Sequence, residues 1–128
     1  LVFEAWDWLE CEAVVADYFA MMELELRGER FNKSHHRREL QPKLNNRSDG
    51  SIKFKHQNIS AILIELGYPY ISGYKPAFNY QQQLKDVVLM RLAEGRYLLE
   101  NQVDLFIEQE PPPINDFVWS DVLESAPE

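Results

Sequence analysis

The densest set of residues able to bind a charged ligand lies in the segment 47–60, which reads RSDGSIKFKHQNIS. Arg and Lys side chains contact phosphates, and the polar residues that follow them here can hydrogen-bond base edges. The segment therefore predicts a nucleic-acid-binding site. The predicted phosphate contacts are Arg37, Arg38, Lys43, Arg47, Lys53 and Lys55, and the predicted base or sugar contacts are His56, Gln57, Asn58 and Ser60.

A structural interpretation of the same residues stays open. Asn58 could only cap a helix and His56 only fill a pocket, while the Lys and Arg residues form a solvated face, because a local charge run is weak evidence of function. The aromatic segment 68–80 is equally ambiguous. We expect its first tyrosines to seal the core, and we assign Tyr74 and Lys75 to ligand contact, since rings and cations at a rigid loop can stack on bases.

The charge distribution favours an anionic partner despite a formal net charge of −8. Residues 27–56 hold nine Lys or Arg against three acidic residues, whereas residues 1–26 and 99–128 hold acidic residues and no Lys or Arg. Charges farther away than about 8 Å are largely screened at physiological salt. A ligand at the basic patch of residues 27–56 would therefore be attracted by the positive potential of that patch, with little repulsion from the distant acidic termini. We expect the partner to be DNA.

Catalytic and metal-binding patterns are absent from the sequence. The candidate zinc ligands are Cys11, His35, His36 and His56, which include neither a CxxC pair nor two histidines at i, i+4. No glycine-rich phosphate loop is present, and no cluster of carboxylates accompanies the basic segment to hold magnesium. We therefore expect no enzyme activity and no cofactor in this chain.

The apolar spacing predicts a mainly α fold, a compact domain of four to five helices with a helix-turn-helix or winged-helix-like core and at most a very short β segment. Asn58 is predicted to cap the third helix and Gly67 to end it. Alternation of Ile52 and Phe54 with lysines predicts a short strand before that helix. The predicted helices are 10–27, 34–41, 59–66 and 81–94, and the predicted strand is 52–55.

Two regions are predicted along the chain. Residues 1–100 form the helical domain, and residues 101–128 form an acidic linker in which three consecutive prolines, 111–113, favour an extended spacer toward a further C-terminal domain. With one cysteine and no long apolar run, we expect a cytoplasmic protein without a membrane partner.

Several short stretches resemble one known family. They are Tyr18-Phe19, Leu24-Glu25-Leu26-Arg27-Gly28, Phe31-Asn32-Lys33, Asn46-Arg47-Ser48-Asp49-Gly50-Ser51-Ile52, Lys55-His56-Gln57-Asn58-Ile59-Ser60 and Gly73-Tyr74-Lys75-Pro76. Together, from about Trp8 to Leu92, they resemble the N-terminal head domain of bacterial McrA-like HNH restriction endonucleases and related multidomain bacterial proteins. The resemblance implies neighbouring modules that read modified DNA and an HNH domain that cuts it, outside this chain.

Two functional hypotheses follow. In the first, the chain is a non-catalytic DNA-binding or positioning module of a larger bacterial restriction or defence protein, and its other partners are the remaining domains of that protein. In the second, it is a protein-interaction or homodimerisation domain without nucleic-acid contact. Helix 10–27 and the acidic termini then form the contacts, and the basic patch meets an acidic partner or the domain's own tail.

Overall fold

The computed structural model describes residues 5–108, and of residues 96–108 it describes the backbone alone. The described part is mainly helical, as predicted, and contains no strand. It consists of α1 (Trp8–Leu26), α2 (Lys33–Leu40), a 3₁₀ turn (Gln41–Lys43), α3 (Asp49–Glu65) and α4 (Gln82–Glu108).

The first helix has sequence-encoded ends. The Asp7 carboxylate accepts the backbone N–H of Glu10 at 2.8 Å, and the Glu10 carboxylate accepts that of Asp7 at 3.1 Å, which completes a capping box. After α1, Gly28 adopts a φ of +74°, a left-handed conformation that glycine adopts without steric cost. The predicted end of helix 10–27 is therefore confirmed to within one residue.

The second helix begins and ends as expected. The Asn32 side chain accepts the backbone N–H of His35 at 2.9 Å, so Asn32 is the N-cap. Pro42 lies in the following 3₁₀ turn, since it lacks the N–H that an α-helix would require there. α2 packs against α3, and residues 44–48 complete the connection between them. The predicted helix-turn-helix corresponds to this pair of helices. Residues 5–108 contain no strand, so the β wing of a winged helix is not found in the described chain.

The third helix corrects two predictions. Residues 52–55 are helical, and Asn58 lies inside α3, because the helix is capped ten residues earlier by Ser48, whose side chain accepts the N–H of Ser51 at 3.1 Å. The alternation was misleading because Ile52 is fully buried whereas Phe54 is exposed. The buried face instead follows helical spacing, through Ile52, His56 and Ile59. Gly67, with a φ of +78°, follows this helix as predicted.

The fourth helix is longer than expected. It reaches Glu108 rather than residue 94, so the predicted boundary at residue 100 falls inside a continuous helix. The predicted proline-containing spacer, residues 111–113, lies outside the described residues. α4 packs against α1 and α3 through its first turns, where Leu84 and Val88 are fully buried.

A buried ion pair joins α1 to the chain that precedes α3. Arg47 donates from Nε and Nη2 to the two carboxylate oxygens of Glu10, at 2.8 and 2.9 Å, and the backbone N–H of Asn45 donates to the same carboxylate at 3.0 Å. The Glu10 and Arg47 side chains are only 3% and 14% exposed. These hydrogen bonds, above all those from Arg47, lower the pKa of Glu10 to about 2.

We expect Arg47→Met to destabilise the fold by about 3 kcal/mol, because it leaves the Glu10 carboxylate buried without its cation. Urea unfolding followed by circular dichroism measures the change. Arg38→Met, at an exposed position of α2, is the matched control and should change the free energy of unfolding by less than about 0.5 kcal/mol. Equal effects of the two substitutions would show that the Glu10–Arg47 pair does not stabilise the fold.

Candidate nucleic-acid interface

An open cleft of about 430 Å³ lies where α2, α3 and the aromatic segment 68–80 meet. Its lining contains three cationic side chains and no acidic one. The lining residues are Asn32, Lys33, Ser34, Arg37, Lys53, Gly73 and Tyr74. A concave cationic surface of this kind favours anions such as phosphate groups.

The helices place the three cations around the cleft. Lys33 and Arg37 are four residues apart on α2 and therefore share a face, and Lys53 comes from the first turns of α3. Lys33 passes over Gly73, where a Cβ would collide with the end of the lysine side chain. Its Nζ lies 5.2 Å from the centroid of the Phe31 ring. The contact involves only the flexible end of the Lys33 side chain, which can shift, so it shows that Lys33 lies against the loop at Gly73.

Arg37 is held in a fixed orientation at the cleft. Its Nε donates to Asp49 Oδ1 at 2.8 Å, and its Nη1 donates to the Tyr74 hydroxyl at 2.9 Å. These two bonds use two of the five N–H groups of a guanidinium. Arg37 is therefore oriented by the protein while retaining donors for a ligand.

One carboxylate connects the two helices of the cleft, α2 and α3, to α1. Asp17 on α1 accepts from His36 Nδ1 on α2 at 2.9 Å and from His56 Nε2 on α3 at 3.0 Å. Because a carboxylate only accepts hydrogen bonds, both ring nitrogens act as donors. The His56 ring stacks on Tyr74 with centroids 4.8 Å apart. The chain of contacts thus runs from Arg37 through Tyr74 and His56 to Asp17.

His56 is the most constrained member of this chain. Its side chain is fully buried, and Nδ1 has no hydrogen-bond partner among the described residues. Burial lowers its pKa below the ordinary 6.5, despite the opposing influence of Asp17. The ring is therefore neutral, with its proton on Nε2 toward Asp17.

Hydrogen bonds also attach the aromatic segment to the helices. The Tyr18 hydroxyl pairs with Ser60 Oγ at 2.7 Å and accepts the backbone N–H of Ile71 at 2.9 Å. Farther along, Asn58 Nδ2 donates to the Ala77 carbonyl at 2.7 Å. These bonds fasten the segment to α1 and α3.

The structure separates the predicted contact residues into three groups. His56, Asn58 and Ser60 lie inside the fold, so their side chains do not reach the surface where base contact was predicted, and Tyr74 lines the cleft although it is only 1% exposed. Arg38, Lys43, Lys53 and Lys75 are exposed; Arg37, Arg47, Lys55 and Gln57 are partly buried; His56, Asn58, Ser60 and Tyr74 are buried.

Two of the partly buried cations serve the fold. Arg47 is engaged by Glu10, as described above. Lys55 donates to Gln81 at 3.2 Å and lies 5.5 Å from the centroid of the Trp6 ring, and burial lowers its pKa. Lys33, in contrast, belongs to the cleft but was not among the predicted contacts. The sequence signal for Lys33 is its position four residues before Arg37, which places both side chains on the same face of a helix.

Other classes of site are not supported in the described part of the chain. No three His, Cys, Asp or Glu side chains of residues 5–95 are arranged to hold a metal ion. None of the described helices combines the length and apolarity needed to cross a bilayer.

The chain matches no protein-family model, and neither a curated protein nor a solved structure shows a significant similarity to it. The residues and their geometry therefore carry the functional argument.

The lowered pKa of His56 predicts a pH-dependent stability. In the unfolded chain this histidine takes up a proton near pH 6.5, whereas in the folded protein it resists protonation. The free energy of unfolding should therefore be greatest above pH 6.5 and fall as the pH is lowered from 7 to 5. Urea unfolding across this range measures the slope.

His56→Gln should flatten that slope, because glutamine can still donate to Asp17 but does not titrate. His35→Gln, at an exposed position, is the matched control and should leave the slope unchanged. Identical slopes in the wild-type protein and His56→Gln would contradict the assignment.

Proposed function

We propose that this domain is a non-catalytic DNA-binding or positioning module that holds the phosphate backbone in the cleft between α2, α3 and the aromatic segment. The observation that carries the proposal is the lining of that cleft, in which Lys33, Arg37 and Lys53 converge without an acidic residue. Phosphate contacts of this kind supply most sequence-independent affinity for DNA.

The surroundings of the cleft support the proposal. Further exposed cations lie on the same or adjoining elements, with Arg38 on α2, Lys43 in the 3₁₀ turn and Lys75 directly after Tyr74. Arg37 is held by Asp49 and Tyr74 before a ligand arrives, which reduces the entropy lost on binding. The Asp49 carboxylate also offsets part of the positive charge of Arg37, so Lys33 and Lys53 contribute much of the attraction for phosphate.

The wider role is part of the same proposal. The resemblance to head domains of McrA-like HNH restriction endonucleases suggests that the module positions DNA for other domains of a bacterial restriction or defence protein. Any cleavage would then occur in those domains, and this domain would contribute affinity rather than chemistry.

The proposal predicts salt-dependent DNA binding that depends on the cleft lysines. The double variant Lys33→Gln, Lys53→Gln should bind a labelled DNA oligonucleotide more weakly at every sequence tested. It should also lower the slope of log affinity against log salt by about one for each lost phosphate contact. Fluorescence anisotropy at several salt concentrations measures both effects.

Arg91→Gln, at an exposed cation on α4, is the matched control and should bind like the wild-type protein. Wild-type protein that does not bind DNA even at low salt would refute the proposal, as would binding that the two lysine substitutions leave unchanged.

A protein-interaction role is the second candidate, favoured by a separate surface. A groove between α1 and α4 is lined by Trp8, Glu12, Val15, Val87, Met90, Arg91 and Glu94. Of the lining residues Met90 is 50% exposed, and Leu9, which follows Trp8 on α1, is 75% exposed. Exposed apolar side chains grouped around a groove are typical of protein contact surfaces.

This candidate predicts a concentration-dependent mass. If two copies associate through the groove, Met90→Glu should shift sedimentation equilibrium toward the monomer, because it places a charge in an apolar contact. The cleft variant Lys33→Gln, Lys53→Gln should leave the mass distribution unchanged. A dimer with a binding free energy of about −8 kcal/mol has a dissociation constant of roughly 1 μM. A wild-type protein that stays monomeric up to about 100 μM would therefore refute dimerisation through this groove.

A further inference from the structure

Two phenylalanine rings are exposed on the two elements, α3 and the aromatic segment, that also contribute lining residues to the cleft. Phe54 on α3 is 42% exposed, and Phe78 in the aromatic segment is 57% exposed. Both lie in regions whose other aromatic or apolar side chains are largely covered, including the neighbouring buried Ile52 and Tyr74. The two rings thus bury only part of their surface in the fold.

Hydrogen bonds bring the two rings to the same part of α3. Asn58, one helical turn after Phe54, donates to the Ala77 carbonyl at 2.7 Å and lies 3.5 Å from the Asn79 carbonyl. These carbonyls belong to the residues on either side of Phe78. One turn of helix rises about 5.4 Å. Phe78 is therefore attached to α3 about one turn from Phe54.

The rings also follow directly from the cations. Lys53, which lines the cleft, immediately precedes Phe54 on α3. The aromatic segment lines the cleft with Gly73 and Tyr74 and then continues to Phe78. Along both elements, a residue that lines the cleft is thus followed in the chain by an exposed phenylalanine.

We propose that Phe54 and Phe78 stack on unpaired bases while the adjacent cleft holds the phosphates, so that the preferred ligand is single-stranded DNA. This inference rests on the proposed function and refines it. Base faces are available to aromatic side chains in a single strand but are covered by neighbouring base pairs in a duplex. The combination of a cationic groove and exposed rings is the arrangement by which proteins bind single strands without sequence preference.

The cations distinguish this role from an apolar protein contact. A purely apolar docking site would not require Lys53 beside Phe54 or a cleft lining free of acidic residues. Protein association through the rings is therefore the competing outcome of the test rather than the proposal.

The experiment compares a fluorescein-labelled single-stranded DNA of about 12 nucleotides with the duplex of the same sequence, titrated with the complete chain at low salt. The test variant is Phe54→Leu, Phe78→Leu, which keeps apolar side chains but removes the rings. Leu89→Ala, on α4 at 42% exposure, is the matched control. Phe54→Trp, Phe78→Trp restores aromatic faces, and circular dichroism confirms that each variant is folded.

The wild-type protein should bind the single strand more tightly than the duplex. The leucine variant should lose about fivefold in affinity for the single strand per ring, or about 30-fold in all, if each stack contributes about 1 kcal/mol. Duplex affinity should change little, and the tryptophan variant and Leu89→Ala should both bind like the wild-type protein.

Other results would overturn the inference in distinguishable ways. Salt-dependent binding that is equal for the two DNAs and insensitive to the leucine substitutions would refute stacking and leave the proposed function in place. Absence of binding to either DNA would refute both. Self-association abolished by the leucine substitutions, with unchanged DNA affinity, would assign the rings to protein contact instead.

Discussion

The arrangement of the helices depends on one carboxylate. Asp17 on α1 accepts hydrogen bonds from His36 on α2 and His56 on α3, and a carboxylate this close to the interior requires such donors to offset its lost hydration. The bond to His56 also fixes the ring on which Tyr74 stacks, and Tyr74 in turn accepts from Arg37. The position of a cation at the surface is therefore set by a polar contact inside the fold.

The third helix combines three roles because its faces meet different surroundings. One face packs in the core through Ile52 and Ile59. A second carries Asn58, which holds the aromatic segment in place through backbone carbonyls. The exposed side presents Lys53 to the cleft. Polar residues near one another in sequence are thus divided between scaffold and surface by the 100° rotation per residue of an α-helix.

Charge is divided in a similar way between stability and binding. Of the basic residues in segment 27–56, Arg47 is paired with Glu10 inside the fold and Lys55 is partly buried against Trp6. The other cations of the segment lie on α2, in the 3₁₀ turn, on the first turns of α3 and, for Arg27 and Arg30, in the connection between α1 and α2. The local excess of positive charge therefore overstates the number of side chains available to a ligand, although it correctly indicates the region in which the cleft lies.

The sequence by itself determined the helical class, the end of helix 10–27 and the end of α3 at Gly67, because these follow from local spacing and from backbone preferences of single residues. It did not determine where α3 begins, since Ser48 and the buried face from Ile52 onward compete with a local alternation that resembles a strand. Only the tertiary structure decided that His56, Asn58 and Ser60 face inward and that Lys33 joins Arg37 and Lys53. Partners such as Asp17 and Tyr18 are distant in sequence, and local patterns carry no information about which side chains will meet across helices.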